Sequence, residues 1–241
     1  MNIPMPSEAE KRISIEYIKE NGLAKRENLF SVMKTVFLNI GIRNIFFGVG
    51  DCIFLAFICV LAAIGLTSQM DPEYLNSAVL VTSPLFFVVA HFLTAWKDYM
   101  SGTSEQKAVC KYKPTHITAF RMLTFSLISI VCDIPASYFL SRLLKAEFLT
   151  VLLFSLCSLF LYSLVMTVSL LAIRWKYIDY VVPAVWIAVN IITALDVKKW
   201  AEFLNSTDSA LPLILCVVFA VSYIAALNLL VKKGERKNAY R

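Results

Sequence analysis

Two histidines in 241 residues leave little material for metal or acid–base chemistry. His91 and His116 stand far apart, neither belongs to a His-Glu-x-x-His run, and no Cys-x-x-Cys pair offers another route to a metal. Seven glycines are present, yet none belongs to a Gly-x-x-x-x-Gly-Lys-Ser/Thr phosphate loop, so the chain cannot hydrolyse ATP by itself. No Gly-x-Ser-Gly run exists for intramembrane serine proteolysis. The carboxylates in apolar stretches, Asp51 and Asp133, lie on different stretches at different depths, which argues against an aspartyl dyad. The expectation is a protein that is not an enzyme, with no metal and no cofactor of its own. Charged residues make up only 17% of the chain, below the ~25% usual for soluble domains. No basic run is interleaved with stacking aromatics, so nucleic acid is not an expected partner.

What is plentiful is apolar sequence, at 59% of residues. It gathers into six stretches, at 45–67, 76–96, 118–141, 149–173, 178–195 and 210–231. About 20 helical residues cross a hydrocarbon core of ~30 Å. Six crossings put both termini on one side. Of the 23 Lys and Arg residues, only Arg142, Lys145, Lys198 and Lys199 fall on the opposite side, leaving nineteen with the termini. That bias over short loops predicts cytoplasmic N- and C-termini, with the basic flanks lying against membrane lipids. The fold class expected is an all-α, multi-pass protein of the cell membrane with six transmembrane helices. Its parts are cytoplasmic N-terminal helices over 1–44, a transmembrane domain over 45–231 and a basic tail over 232–241. Cys52, Cys59, Cys132, Cys157 and Cys216 fall inside the apolar stretches and Cys110 in a cytosolic loop, so they read as packing residues.

The first 44 residues are polar and amphipathic and do not read as a secretory signal. Ser7-Glu8-Ala9-Glu10 is a capping box, predicting a helix that buries Ile13, Tyr17 and Ile18 on one side and stops at Gly22. Over 27–40, Leu29, Val32, Met33, Val36, Phe37 and Ile40 recur at helical spacing and lead into the first apolar stretch. This pattern suits an interfacial helix on the cytoplasmic surface; a small cytosolic hairpin is the alternative.

Polar residues inside the stretches are few enough to weigh singly. Asp133 sits mid-stretch, where insertion costs ~2.5–3.5 kcal/mol, so it needs a partner once folded. Ser126, Ser129, Asp133 and Ser137 share one helical face, and Pro135 frees the carbonyl of Val131, predicting a bend. The face reads either as the lining of a substrate path or as a seam between helices. Asp51, near the cytoplasmic edge, reads as an interfacial anchor able to pair with Arg43, Arg121 or Lys97. His91 shares a face with Ser83 and Phe87, and reads as hydrogen-bonded structure rather than a metal ligand. Asn190, with Pro183 upstream, marks the fifth stretch as polar and bendable, and Ser155, Ser158, Tyr162 and Ser169 give the fourth a similar stripe.

One central cytoplasmic loop is long enough to meet a soluble partner. It joins the second and third stretches and holds a second capping box, Thr103-Ser104-Glu105-Gln106, ahead of Lys111-Tyr112-Lys113-Pro114-Thr115. Taken alone it also reads as a solvated turn. The surface helix, the six-stretch layout and this Gly-Thr-Ser-Glu loop together resemble the permease subunits of ABC-2 type exporters. The resemblance implies that Gly102, Thr103, Ser104, Glu105 and Gln106 form a coupling element that docks on a separate ABC-type ATPase, which binds the ATP. It also implies a homodimer or a pairing with a related permease. Two features depart from that pattern: the short 196–209 connection, where some branches build re-entrant helices, and the extra helix at 7–21. The alternative is a non-transporting regulator or scaffold that holds a cytosolic partner through the N-terminal helices. A third option, an ion-coupled carrier using Asp133, lacks a visible internal repeat.

Overall fold

In lipid every backbone N–H and C=O must find a partner within the chain, and a helix does this within a single segment. The computed structural model describes residues 7–21, 49–69, 71–100, 114–173, 177–195, 202, 204 and 210–236, and no strand occurs among them. The segment 27–40, Arg43, the loop residues Gly102, Thr103, Ser104, Glu105 and Gln106, and residues 237–241 lie outside the described residues. In chain order the helices are α1 (Glu8–Asn21), α2 (Val49–Ser68), α3 (Leu75–Thr82), α4 (Leu85–Met100), α5 (Pro114–Leu144), α6 (Phe148–Ala172), α7 (Ile178–Leu195) and α8 (Ala210–Arg236). A 3-10 turn, Pro72–Tyr74, leads into α3.

Among the described residues, each of the six apolar stretches is mainly helical. Four segments are long and apolar enough to cross a membrane: Leu75–Lys97, Ile117–Leu144, Phe148–Ala172 and Ala210–Lys232. The apolar parts of the other two are shorter, at Ile53–Ser68 and Ile178–Asn190. The second stretch, expected as one unbroken helix, is interrupted at Ser83–Pro84. The third is assigned as helix on both sides of Pro135.

Helix α6 is the axis of the bundle, packing against α3, α5, α7 and α8. Its buried positions include Val151, Ser155, Ser158, Tyr162 and Met166, spaced by three or four residues along one broad face. The serines keep that face small enough for neighbouring backbones to approach. Around it Phe87, Met122, Phe125, Leu159, Tyr162, Met166 and Leu227 form the main core, while Leu75, Val79, Leu140 and Val151 form a second cluster. Phe87 stands edge-on to both Phe125 (6.1 Å) and Tyr162 (5.3 Å), and Tyr162 meets Trp186 of α7 at 5.1 Å. The outer faces are apolar as well. Phe54, Phe57 and Leu61 on α2 and Leu213, Val217 and Val221 on α8 are all exposed, as lipid-facing positions should be.

The corner between α5 and α6 is a tight cap. Lys145, just past α5, has φ of 52°, and the Ala146 N–H reaches back to the Ser141 carbonyl at 3.1 Å. This is a Schellman ending, in which glycine is the usual occupant. A side chain in that left-handed conformation costs about 1 kcal/mol relative to glycine.

The first capping box forms as its residues dictate. Glu10 accepts from the Ser7 N–H (2.8 Å) and hydroxyl (3.0 Å), while the Glu10 N–H donates to Ser7 Oγ at 3.4 Å. Ile13 and Tyr17 are not buried as expected; both are 68% exposed. The Ser7 backbone N–H, and then its hydroxyl, hold the Glu10 carboxyl below its ordinary value. A depressed carboxyl stabilises its charged state, so the cap is complete at neutral pH and is lost as pH falls through that lowered value. The Ser7 amide resonance of isotope-labelled protein should therefore titrate with a midpoint below the usual glutamate range. A midpoint at the ordinary value would show that the cap does not persist in solution.

Candidate functional site: a polar seam at the interrupted helix

Hydroxyls buried in an apolar helix usually bond back to their own helix, and most do so here. Thr82, Thr94, Thr124, Ser163 and Thr167 each donate to the carbonyl four residues earlier, and Ser126 and Ser141 to the one three residues earlier. Three serines depart from this habit. Ser83, Ser155 and Ser158 reach to other helices, and all three gather where the α3–α4 segment is interrupted.

Pro84 is the cause. It lacks an N–H, so the carbonyl of Leu80, four residues earlier, loses its ladder partner. The chain does not swing away, because Ser83 keeps helical angles (φ −54°, ψ −48°) and its own N–H still bonds to Val79. The main-chain ladder is open between the Ser83-to-Val79 and Val88-to-Pro84 bonds, and within that gap the Ser158 hydroxyl of α6 donates to the Leu80 carbonyl.

One turn away lies Asp133, the carboxylate expected to need a partner. It is 8% exposed, and its Oδ2 accepts from the Ser83 hydroxyl at 2.9 Å. The Ser155 main-chain carbonyl is 2.8 Å from the same Ser83 oxygen, and the Ser155 hydroxyl donates to it at 3.0 Å. One hydroxyl hydrogen on Ser83 thus serves two acceptors on two helices, α5 and α6. The polar faces read separately on three stretches meet here. Ser129, one turn before Asp133 and 1% exposed, has no hydrogen-bond partner for its hydroxyl among the described residues. Asn190 lies half-buried on α7 and is not among the groups bonded to Asp133.

His91 lies near the middle of α4, about two turns beyond the interruption. Its Nε2 is 3.3 Å from Oδ1 of Asp179, in the first turn of α7, where the helix dipole favours a carboxylate. Beside this pair the Tyr180 hydroxyl donates to the Ala95 carbonyl at 2.9 Å. Arg121 lies beside them: His91, Thr94, Ala95, Thr118, Arg121 and Asp179 line a cavity of about 60 Å³. Asp51, its expected partner, falls in the first turn of α2. Among the described residues no group of three His, Cys, Asp or Glu side chains could hold a metal ion.

Two partners went unread in the sequence. Asp179 was hidden by its place at a helix start, where acids are ordinary. Pro84 carried the same signal as Pro135 and Pro183, and reading it would have pointed to Leu80 and a donor opposite.

The Pro84–Ser158 relation can be tested by a double-mutant cycle. Ser158→Ala should destabilise the protein by about 1 kcal/mol, because it orphans the Leu80 carbonyl. In a Pro84→Ala background the restored N–H satisfies that carbonyl, and the same change should cost less than about 0.5 kcal/mol. Reversible unfolding in mixed micelles measures both; equal costs in the two backgrounds would sink the assignment.

No protein-family model, curated protein or solved structure matches the chain.

Proposed function

We propose that this chain is the membrane-spanning permease subunit of an ABC-2-like exporter, working in the cell membrane with a separate ABC-type ATPase. In this reading all six apolar helices cross the bilayer, both termini face the cytoplasm, and two copies or two related subunits enclose the path. The observation that carries it is the interruption at Ser83–Pro84, near the middle of a segment that ends at the loop 101–113. A push on that loop bears directly on α4 and α5. Between that loop and the interruption, the His91–Asp179 pair and the Tyr180–Ala95 bond tie the body of α4 to α7. The load would be felt where the α3–α4 ladder is open and Ser83 divides its hydrogen between α5 and α6. Such a point suits a bundle with two arrangements, biased by the state of an ATPase. Asp133 is then part of a seam that holds or releases the interrupted helix, and no step of ATP chemistry falls on this chain.

A second reading has its own support. Ile13 and Tyr17 stand on α1 with most of their surface exposed, as expected of a helix that waits for a cytosolic partner in a regulator or scaffold.

Both readings make distinct demands. Glu105→Lys should abolish co-purification of an ATPase with the solubilised protein while leaving its thermal midpoint unchanged. Deletion of residues 1–22 should leave the ATPase bound. A deletion that removes the partner, together with a Glu105 variant that keeps it, would favour the scaffold and reject the permease.

A further inference from the structure

We propose that the cleft at the α5–α6 corner binds the phosphate headgroup of an anionic phospholipid between Arg142 and Lys145. The cleft has a volume of about 570 Å³ and is lined by Tyr138, Ser141, Arg142, Lys145, Ala146 and Phe148. That size lies within the range of small-molecule sites, ample for a phosphate and its glycerol. Two cations share it, and among the described residues no carboxylate lies within ion-pair distance of either. Glu147, adjacent in sequence, instead accepts a hydrogen bond from Thr150 at 2.9 Å. The Arg142 guanidinium lies 5.5 Å from the centre of the Tyr138 ring, which is itself braced edge-on against Phe148 at 6.2 Å. An arginine held over an aromatic face still has N–H donors to offer, and its fork matches two phosphate oxygens.

A second observation comes from the backbone. Lys145 occupies a left-handed position that glycine fills without strain. Strain at a single position points to a side chain kept for what it does, and here that side chain is a cation on the cleft wall. The surroundings select the source of the phosphate. Tyr138, Phe139, Leu143 and Leu149 are exposed next to the cleft, at the ends of two segments able to cross a membrane. An acyl chain can lie along those side chains while its headgroup enters the cleft; a free phosphate gains nothing from them. The site is independent of the proposed transport role.

The full-length protein in nanodiscs provides the test, with its thermal midpoint followed as phosphatidylglycerol replaces phosphatidylcholine. The wild-type midpoint should rise with phosphatidylglycerol, and the rise should vanish in Arg142→Gln/Lys145→Gln. Lys145→Gly is the sharper variant. In pure phosphatidylcholine it should melt no lower than wild type, because glycine relieves the strain, yet it should lose most of the rise. Inorganic phosphate added to wild type in phosphatidylcholine should leave the midpoint in place. A rise that survives both variants, or a wild type indifferent to phosphatidylglycerol, overturns the site. A rise produced by inorganic phosphate alone overturns the lipid assignment and points to a soluble phosphoryl ligand.

Discussion

The hydrogen bond from Ser158 to the Leu80 carbonyl is the contact on which the interior arrangement depends. Proline in the middle of an apolar helix leaves an acceptor that water cannot reach, and leaving it unmet costs on the order of 1–3 kcal/mol. Meeting it from α6 fixes the rotation of α6 about its axis, because Ser158 must face Leu80. That rotation also turns Ser155 towards Ser83, and Ser83 towards Asp133 on α5. Three helices are thereby set in register by polar atoms within a core whose shape-filling is done by Phe87, Phe125, Leu159 and Tyr162. Apolar packing alone would tolerate small rotations; a hydroxyl aimed at one carbonyl does not.

The seam is nevertheless lightly constrained at one point. Ser83 has a single hydrogen and two acceptors, a carboxylate on one helix and a main-chain carbonyl on another. Favouring one acceptor weakens the hold on the other helix. The later part of the second apolar stretch differs, since an aromatic hydroxyl and a histidine–carboxylate contact tie it to α7. The second apolar segment therefore joins a braced end to a less committed middle, which is the property a moving part needs.

Periodicity and length were enough to read the helices. The apolar stretches at 149–173 and 178–195 coincide with α6 and α7 almost to the residue, because such runs have no other way to satisfy their backbone. Ser7 and Glu10 announced the start of α1 by local geometry alone. The need of Asp133 for a partner was also legible, as was a seam of serines along the third and fourth stretches. Which serine would answer was not, since pairings such as 83 with 133 and 80 with 158 depend on how helices distant in sequence are rotated against each other. Ile13 and Tyr17 show the converse limit: an apolar pair on a helix says that something should cover it, not what.

The groups that meet at Asp133 come from the second, third and fourth apolar segments, which follow one another along the chain. During synthesis they leave the ribosome in that order, well before α8, whose packing completes the bundle around α6. The most lipid-averse atoms of the molecule can thus find one another while the last third of the chain is still unmade. Biogenesis is spared a stage in which a carboxylate and a bare carbonyl wait unmatched in hydrocarbon.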